Sequence, residues 1–531
     1  MPLTSQDPLH FVNPNLDSFL TRFEPCSPTE IWSIIKDLKN TKENKDTAPI
    51  KLIKANSVTL SVVISRMINH AMELGIFPNP LKIGTISPIF KKRGDPSSPL
   101  NYRPICKSPY LSKIFEKVIH SRLSKHLTDN NIISPLQFGF RKNISTLDAI
   151  IHFTEILYNA LNDRNSCMNI LIDYSRAFDT VNHEILLKKL DKYGVRGIAL
   201  ALIANYLKDR VQMVRIREKV SDPIVTNISV PQGSINGPLL FLVYITEIPS
   251  ISQKLIPTMF ADDCTLSLIG NDMVSMVEEC NRELQAFKLW SDSNRLTINV
   301  SKTHCLLISN IFSEIPPGSL LINEQEIDLV QCVKFLGIFI DSGLKFDSHI
   351  EYISGKISKS IGIIYRIRCL LPISTLKNLY FSLIQPYIMY CLPIFACTYD
   401  THMQPLILLQ KRAIRTISNA PFRETTNPLF IKNNILKIND LYKHSLCCYL
   451  YKNQHLIENH TRNHDYFTRH RNDIHVPNAR LRSTEQSVIR NALLVWNDIP
   501  DNLRACRTFT QFKIQLKKYL IDQYSKSDSQ V

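Results

Sequence analysis

Residues 259–266 of this chain read MFADDCTL and place two adjacent carboxylates, Asp262 and Asp263, inside an otherwise apolar run. Short apolar stretches lead into the pair from Leu255 and away from it to Ile269, a pattern that predicts two strands joined by a tight turn. An Asp-Asp pair alone is common at solvated turns. Between two buried strands, however, like charges repel unless a cation lies between them. The pair therefore predicts a divalent metal and a further oxygen ligand elsewhere.

A third carboxylate follows another predicted strand. An apolar run from Met168 to Ile172 ends on Asp173, 89 residues before Asp262. If the two strands are neighbours in one sheet, all three carboxylates converge at its edge. Three oxygen ligands suit two Mg²⁺ ions, which favour carboxylate, water and phosphate. Two-metal sites of this kind perform in-line phosphoryl displacement, so the pattern predicts a nucleotidyl transferase.

The bulk properties agree with a large protein that binds a polyanion. The chain has 531 residues, 44% of them hydrophobic, which is too long for a single ordinary domain. Its net charge is +16, and residues 401–531 hold 20 Lys and Arg against 10 Asp and Glu. Nucleic acid or an anionic membrane surface is the expected partner of such a charge. Thirteen scattered cysteines with no C-x-x-C pair predict buried thiols in a reduced compartment.

Eight motifs along the chain resemble those of one polymerase family. Five resemble consecutive motifs of a reverse transcriptase: NILIDYSRAFDTVNH (169–183), VPQGSINGPLLFLVYITEIP (230–249), FADDCTL (260–266), LTINVSKT (296–303) and VKFLGIFID (333–341). Three more resemble motifs of non-LTR, LINE-like retrotransposons, particularly the Jockey-like group: NYRPI (101–105), QFGFRKNIST (137–146) and LQKRAIRTI (409–417). The resemblance runs from about residue 28 to the end of the chain, and so many motifs in the correct order make it specific.

The resemblance implies an α/β fold of the right-hand polymerase type, with fingers, a palm built on an antiparallel sheet, a helical thumb and a basic helical C-terminal region. We predict four units: an N-terminal helical extension (1–80), fingers and palm (81–343), the thumb (344–430) and the C-terminal region (431–531). Elements of this family usually carry an upstream endonuclease. The polymerase motifs begin too near the start of this chain for us to expect one here.

The family's catalytic residues carry over onto four positions. Asp173 and Asp262 resemble the first and second metal-binding aspartates, and Asp263 resembles their less essential neighbour. Lys302 lies where the family has a lysine implicated in protonating the pyrophosphate leaving group. The implied cofactor is a pair of Mg²⁺ ions, with Mn²⁺ as a possible substitute.

The implied substrate is a deoxynucleoside triphosphate. Phe178 falls at the family's steric gate, which excludes a ribose 2′-hydroxyl. Viral RNA-dependent RNA polymerases usually carry an aspartate there, and Asp179 is displaced by one residue. The other residues that the resemblance assigns to substrate binding are Gln232 and Gly233 in the nucleotide pocket, Arg103 with Lys91 or Lys92 at the triphosphate, and Arg141.

Other residues are assigned to primer and template. Phe335, Leu336 and Gly337 resemble the primer grip, although a buried strand with a tight bend explains the two apolar residues as well. Cations that recur on two predicted thumb helices are expected to follow a nucleic-acid backbone: Lys356, Lys359, Arg366, Arg368, Lys411, Arg412 and Arg415.

Three departures from the family pattern stand out. NKDTAPIK at 44–51 replaces a glycine-bearing segment of the fingers. Asn143 replaces a common glycine, an exchange that a left-handed backbone tolerates. Asn236 lies where an apolar residue is more usual.

The sequence therefore predicts an RNA-directed DNA polymerase that performs target-primed reverse transcription. Its expected partners are an RNA template, a DNA primer or nicked target DNA, and deoxynucleoside triphosphates, with a separate endonuclease making the nick. We expect an intracellular protein of nucleus and cytoplasm; the apolar residues 383–399 are interrupted by Pro386 and Pro393, so we predict no membrane span. Two alternatives stay open, a catalytically idle or domesticated RNA-binding remnant and an intron maturase-like reverse transcriptase.

Overall fold

The computed structural model describes residues 7–39, 49–92, 94–311, 320–458, 473–481 and 484–527. Residues 44–48 of the altered segment at 44–51 lie outside these ranges. No helix within them is long and apolar enough to cross a membrane.

Helices dominate both ends of the chain, and the strands lie between them. The N-terminal elements are α1 (Pro28–Asp37), α2 (Ile50–Ala55), α3 (Ser57–Leu74), β1 (Ile83–Phe90), β2 (Tyr102–Lys107), α4 (Tyr110–Asp129) and α5 (Thr146–Asn162). Next come β3 (Ser166–Ile172), α6 (His183–Lys192), α7 (Gly197–Leu207), β4 (Arg210–Ile216), β5 (Lys219–Val220), β6 (Ile224–Thr226), α8 (Asn236–Ile245), β7 (Ile256–Phe260), β8 (Asp263–Gly270) and α9 (Met273–Ser293). They are followed by β9 (His304–Ile308), β10 (Leu321–Ile322), β11 (Gln325–Glu326), β12 (Asp328–Leu329), β13 (Cys332–Phe335) and β14 (Ile338–Asp341).

The remaining described elements are all helical. They are α10 (Asp347–Ile367), α11 (Ile373–Leu383), α12 (Gln385–Met389), α13 (Leu392–Phe395), α14 (Asp400–Ile417), α15 (Asn427–Asn433), α16 (Ile438–Lys452), α17 (Gln454–Glu458), α18 (Val488–Asp498), α19 (Asp501–Arg504) and α20 (Phe509–Ser527).

The palm is a five-stranded sheet in the order β12-β9-β3-β8-β7. All its pairs are antiparallel except that of the short edge strand β12 with β9. Alternate residues of β3 enter two different cores, since Met168 and Ile170 join the core of α6 to α9 while Cys167 joins that of α5 and the thumb. Because both faces of β3 are covered, six of its seven residues are buried, including the polar Ser166 and Asn169.

The fingers sheet has the order β2-β1-β4-β5, and β6 also pairs with β4. β1 runs antiparallel to β2 and parallel to β4. Arg103 lies opposite Ile89, next to the outer end of the β1–β2 hairpin. The hairpin therefore carries Arg103 on β2 and Lys91 in the loop that follows β1.

The C-terminal half packs as helices on one continuous apolar core. Ile350, Ile353, Ile357, Ile361 and Ile364 recur at helical spacing along α10 and are all buried. The same core includes residues of α5, α14, α16, α18 and α20, so it joins the predicted thumb to the C-terminal region. The prediction of an α/β fold with a palm sheet and a helical C-terminal half is confirmed. The predicted domain boundaries stay predictions.

Candidate active site

The palm hairpin brings the predicted carboxylates to one sheet edge. Ile172 of β3 lies opposite Cys264 of β8, so the residues that follow and precede them, Asp173 and Asp263, leave the pair at the same end. Phe260 pairs with Asp263, which leaves a two-residue turn between β7 and β8. The register of β3 with β8 thus achieves the convergence that the sequence predicted.

The three carboxylates act on each other's charge. The pKa of Asp263 is raised to about 6, first by burial and then by the negative charges of Asp262 and Asp173. Burial and the charge of Asp173 also raise the pKa of Asp262, whereas its own backbone N–H and Arg103 act in the opposite direction. The side chains of Asp262 and Asp263 still reach solvent, so the surrounding protein removes only part of their water. The site therefore favours a cation.

The loop after α9 supports Asp173. Its backbone carbonyl accepts a hydrogen bond from the Asn299 N–H (2.8 Å), and its own N–H donates to Thr303 Oγ1 (3.3 Å). Lys302 lies in the same loop, with its Nζ 3.8 Å from Asp173 Oδ2. The predicted proton donor thus lies beside the first predicted metal ligand, although its role stays a prediction.

The donor set fits a hard divalent cation, because it offers only carboxylate oxygens and because their mutual repulsion raises two of the pKa values. Within the described ranges, however, no group of three or more His, Cys, Asp or Glu side chains is already arranged as a set of metal ligands. Binding a cation therefore requires these side chains to turn toward it.

The predicted steric gate belongs to an aromatic cluster. The ring of Phe178 stacks on that of Phe241 with centroids 4.2 Å apart, and Phe140 meets it edge-on at 6.2 Å. The side chain is half-buried. Phe178 therefore has a fixed ring position, which a gate requires, while its contact with a nucleotide stays a prediction.

The loop after β6 is held by contacts that the sequence did not reveal. Gly233 has φ +110°, and a Cβ there would lie 2.6 Å from the Cys106 carbonyl oxygen. The close approach of the β2 backbone is therefore one reason for a glycine here, and its predicted place in the nucleotide pocket stays a prediction. The Cys106 N–H also donates to the Gln232 carbonyl (2.7 Å). Buried Glu116 of α4 accepts a hydrogen bond from the Ile235 N–H (2.7 Å).

Asp179 is a site residue whose role we missed. Gln232 Nε2 donates a 2.8 Å hydrogen bond to Asp179 Oδ1. Both residues line a cavity of about 250 Å³ that extends to Cys106 of the fingers. The carboxylate thus holds the side-chain amide of the glutamine predicted to shape the nucleotide pocket. The motif spacing gave no signal for this pair, since the two residues lie 53 positions apart.

The predicted substrate cations are not all free to bind phosphate. Arg103 is exposed and its charge reaches Asp262, which places it toward the carboxylates. Lys91 Nζ donates to the Leu100 carbonyl within the hairpin loop (2.9 Å). Arg141 donates to the carbonyls of Ser134, Pro135 and Gln137, so its guanidinium supports its own loop. The substrate-binding roles of these residues stay predictions.

The predicted primer grip is the β13–β14 hairpin. Phe335 is buried against the ring of Phe153 at 5.2 Å. Leu336 and Gly337 form the turn with φ values of +43° and +94°, and the Tyr390 hydroxyl donates to the Leu336 carbonyl. The buried-strand interpretation therefore accounts for Phe335 and also for Leu336, which packs against the same core, and the primer-binding role of this turn stays a prediction.

The predicted backbone-binding cations lie on or next to two packed helices. Lys356, Lys359 and Arg366 belong to α10, and Arg368 caps its C-terminal end. Lys411, Arg412 and Arg415 belong to α14. Arg368 stacks on the Tyr365 ring (3.5 Å) and donates to Asn419 Oδ1 (3.2 Å), while Arg415 donates to the Glu424 carbonyl (2.8 Å). These two arginines therefore also have a local structural role.

One further expectation concerns Asn143, which has φ +64°. The left-handed backbone that would make asparagine a tolerable substitute for glycine is therefore present.

Comparison with known proteins agrees with this geometry. Residues 90–340 match the family described as reverse transcriptase (RNA-dependent DNA polymerase). A probable RNA-directed DNA polymerase from transposon BS of Drosophila melanogaster is 27% identical over 432 residues, which cover 77% of this chain and 47% of that protein. The corresponding protein from transposon X-element of the same species is 26% identical, over 86% of this chain and 49% of its own length.

The RNA-directed DNA polymerase from mobile element jockey of D. melanogaster is 26% identical over 74% of this chain and 44% of that protein. This chain spans about half the length of these relatives. A solved structure of apo telomerase from Candida tropicalis, truncated from its C-terminal domain, aligns with a TM-score of 0.35 and 11% identity over 50% of this chain and 55% of that one. Residues 90–340 are thus similar to a reverse transcriptase domain, and the relatives that this chain resembles are named as RNA-directed DNA polymerases of transposons and mobile elements.

Proposed function

We propose that this chain is an RNA-directed DNA polymerase that adds deoxynucleotides to a primer 3′-hydroxyl on an RNA template. The observation that carries the proposal is the pairing of β3 with the β7–β8 hairpin, which brings Asp173, Asp262 and Asp263 together inside a reverse transcriptase domain. The relatives are named as polymerases of mobile elements, which favours this activity over an RNA-binding remnant or a maturase.

Asp173 and Asp262 would hold two Mg²⁺ ions, with Asp263 as a third oxygen donor; the same ligands accept Mn²⁺. Bound metal supplies charge neutralisation at the reacting phosphate and lowers the pKa of the attacking hydroxyl. Arg103 would bind the triphosphate. Lys302, beside Asp173, would give a proton to the leaving pyrophosphate oxygen.

Phe178 and Gln232 would shape the deoxynucleotide pocket, and the β13–β14 turn would hold the primer end. The cations of α10 and α14 would contact the phosphates of the primer–template duplex without selecting its sequence. We further propose that a nick in target DNA, made by a separate endonuclease, supplies the primer, and that the protein acts in the nucleus after synthesis in the cytoplasm.

Primer extension on poly(rA) annealed to oligo(dT), with dTTP and Mg²⁺, tests the activity. Asp262→Asn is expected to reduce the rate at least ~10³-fold, because losing a metal ligand removes several kcal/mol of transition-state stabilisation. Asp292→Asn is the matched control, since Asp292 lies on the surface of α9, where it pairs with Lys288. The proposal fails if Asp262→Asn extends as well as the parent. It also fails if the parent binds RNA in a salt-sensitive manner but extends no primer.

A further inference from the structure

Gln137 is a buried polar residue that the proposed chemistry does not use. It begins the QFGF segment between α4 and α5, and its side chain is 1% exposed. Its Oε1 accepts hydrogen bonds from the N–H groups of Ala261 (2.9 Å) and Gly139 (2.8 Å). Its Nε2 donates to the Ala261 carbonyl (3.4 Å). One side chain therefore binds both backbone polar groups of the residue that precedes Asp262.

The backbone on either side of Gln137 lies along the same hairpin. The Phe138 N–H donates to the Met259 carbonyl (2.8 Å), and the Met259 N–H donates to the Leu136 carbonyl (3.0 Å). At Gly139 the approach is so close that a Cβ would lie 2.3 Å from the Ala261 nitrogen. Residues 136–139 thus form a support against β7 and its turn, which explains the glycine in this motif.

The turn needs such a support for two physical reasons. Ala261 has φ +58°, a left-handed conformation that costs a non-glycine residue about 1–2 kcal/mol. Two-residue hairpin turns favour glycine, asparagine or aspartate where φ is positive, and alanine supplies none of their advantages. In addition, this turn and the register of β3 with β8 bring three carboxylates to one end of the sheet, and like charges oppose such an arrangement.

We propose that Gln137 is a positioning residue that fixes the Ala261 turn and so sets the location of Asp262 relative to Asp173. The expected effect on kcat rests on the proposed polymerase activity, whereas the expected effect on the backbone of the turn does not. The Gln137 side chain is hydrogen-bonded to the backbone of Ala261 and Gly139, so it acts on Asp262 through the backbone of Ala261. The QFGF segment is therefore part of the active-site framework, joined to the hairpin by contacts across 124 positions of sequence.

Gln137→Met tests the proposal, because methionine has a similar length and shape but cannot make the three hydrogen bonds. Asn169→Leu is the matched control. Asn169 is fully buried on β3 and donates to the carbonyls of Cys167 and Leu306 while accepting from Ser267 Oγ, so its replacement also removes several buried hydrogen bonds in the same sheet. Thermal unfolding of both variants measures the loss of stability common to them.

Two measurements separate positioning from simple packing. Hydrogen exchange of a peptide covering residues 256–264 should be ~10-fold faster in Gln137→Met and unchanged in Asn169→Leu, since only the first frees the turn. The kcat of Gln137→Met should fall ~10²-fold, as expected for a misplacement of reacting groups by about 1 Å, with KM for dTTP within ~3-fold of the parent. The kcat of Asn169→Leu, per folded molecule, should stay within ~3-fold.

Adding Ala261→Gly to Gln137→Met supplies the rescue. Glycine adopts the positive φ without strain, so the double variant should regain ~10-fold in kcat over Gln137→Met. The inference is overturned if Gln137→Met and Asn169→Leu change exchange and kcat alike, or if Ala261→Gly restores nothing. If the parent itself extends no primer, the proposed function fails, while the exchange comparison still decides whether Gln137 holds the turn.

Discussion

Two lysine–carboxylate pairs in the palm are built in opposite ways. Lys189 and Glu247 are 0% and 2% exposed and form an ion pair. Lys189 Nζ also donates to the Tyr244 carbonyl (2.6 Å), and Glu247 accepts a hydrogen bond from Trp290 Nε1 (3.2 Å). By contrast, the side chains of Lys302 and Asp173 are 64% and 42% exposed, and their charged atoms lie 3.8 Å apart.

The two pairs differ in what their charges do. The buried pair contributes to the stability of the palm, whereas the exposed pair belongs to the proposed active site. Burial lowers the pKa of Lys189, and the negative charge of Glu247 opposes that effect, so the buried charges depend on each other. At the open pair the neighbours of Asp173 include two further carboxylates, and the charges of Asp262 and Asp173 help to raise the pKa of Asp263. The palm thus pairs opposite charges in its interior and brings like charges together at the open edge, where we propose that a cation binds.

Removing one member of the buried pair should have the largest effect. Lys189→Met leaves Glu247 buried without its cation and is expected to lower the free energy of unfolding by about 3–5 kcal/mol. Urea unfolding followed by circular dichroism measures this change. Lys188→Met is the matched control, since the adjacent Lys188 pairs with Glu184 on the surface and should contribute less than about 1 kcal/mol.

The double variant Lys189→Met/Glu247→Met sharpens this result. Because both charges are removed, it should recover a substantial part of the stability that Lys189→Met loses. An equal or greater loss in the double variant would show that the cost arises from packing around Tyr193, Tyr244 and Trp290 and not from an unpaired charge.

Replacing the exposed Lys302 should lower the rate of primer extension without changing stability. Lys302→Met is expected to reduce kcat ~10²-fold, the usual contribution of a positioned general acid. Its thermal midpoint should match that of the parent because the side chain is mostly exposed. Steady-state primer extension gives kcat, and Lys288→Met, whose side chain pairs with Asp292 on α9, serves as the control. A kcat within ~3-fold of the parent would exclude a role in proton transfer.

The strands of the palm show how much of the site could be predicted from the sequence. The strands that end on Asp173 and on the Asp-Asp pair follow from their apolar runs, whereas their pairing was a condition of the prediction that the carboxylates converge. The two-residue period of a strand does not specify its partner, so the pairing of β3 with β8 needed the family resemblance or the structure. The register then placed Asp173 and Asp263 at one end without further information.

Long-range polar contacts could not be predicted. Gln137 reaches Ala261 across 124 positions, Gln232 reaches Asp179 across 53, and Lys189 reaches Glu247 across 58. Each contact depends on how separate elements pack, and neither periodicity nor motif spacing reports it. For the same reason the sequence did not reveal that the Cys106 carbonyl is the close neighbour of Gly233, whose place in the nucleotide pocket stays a prediction.

The burial of the Asp179–Gln232 contact is intermediate between that of the Lys189–Glu247 pair and that of the exposed lysine–aspartate pair. Both side chains are half-buried, and the carboxylate accepts a hydrogen bond from a neutral amide. Asp179→Ala removes one hydrogen bond worth about 1 kcal/mol, so KM for dTTP should rise ~5-fold while kcat changes little. Asp179→Asn is the control, because its side-chain oxygen can still accept from Gln232 Nε2. If the alanine and asparagine variants raise KM equally, the charge of Asp179 matters and the hydrogen bond does not.

The smallest effect expected is a pH dependence of stability from the open site. The folded pKa of Asp263 is about 6, above its ordinary value of 3.8, so the folded state binds this proton more tightly than the unfolded state does. Without metal, the contribution of Asp263 to stability should therefore decrease as pH rises from about 4 to about 6 and stay constant above that range.

Asp263→Asn cannot ionise at this position and should lack the decrease. The thermal midpoint of Asp263→Asn minus that of the parent should thus become more positive between pH 4 and pH 7 in EDTA, because ionised Asp263 destabilises only the parent. Added Mg²⁺ should reduce this difference, since a bound cation favours the ionised carboxylate. A difference in thermal midpoint that does not change with pH would mean that Asp263 is solvated like an ordinary surface carboxylate. The contrast between the buried Lys189–Glu247 pair and the exposed carboxylate site would then rest on Asp173 and Asp262 alone.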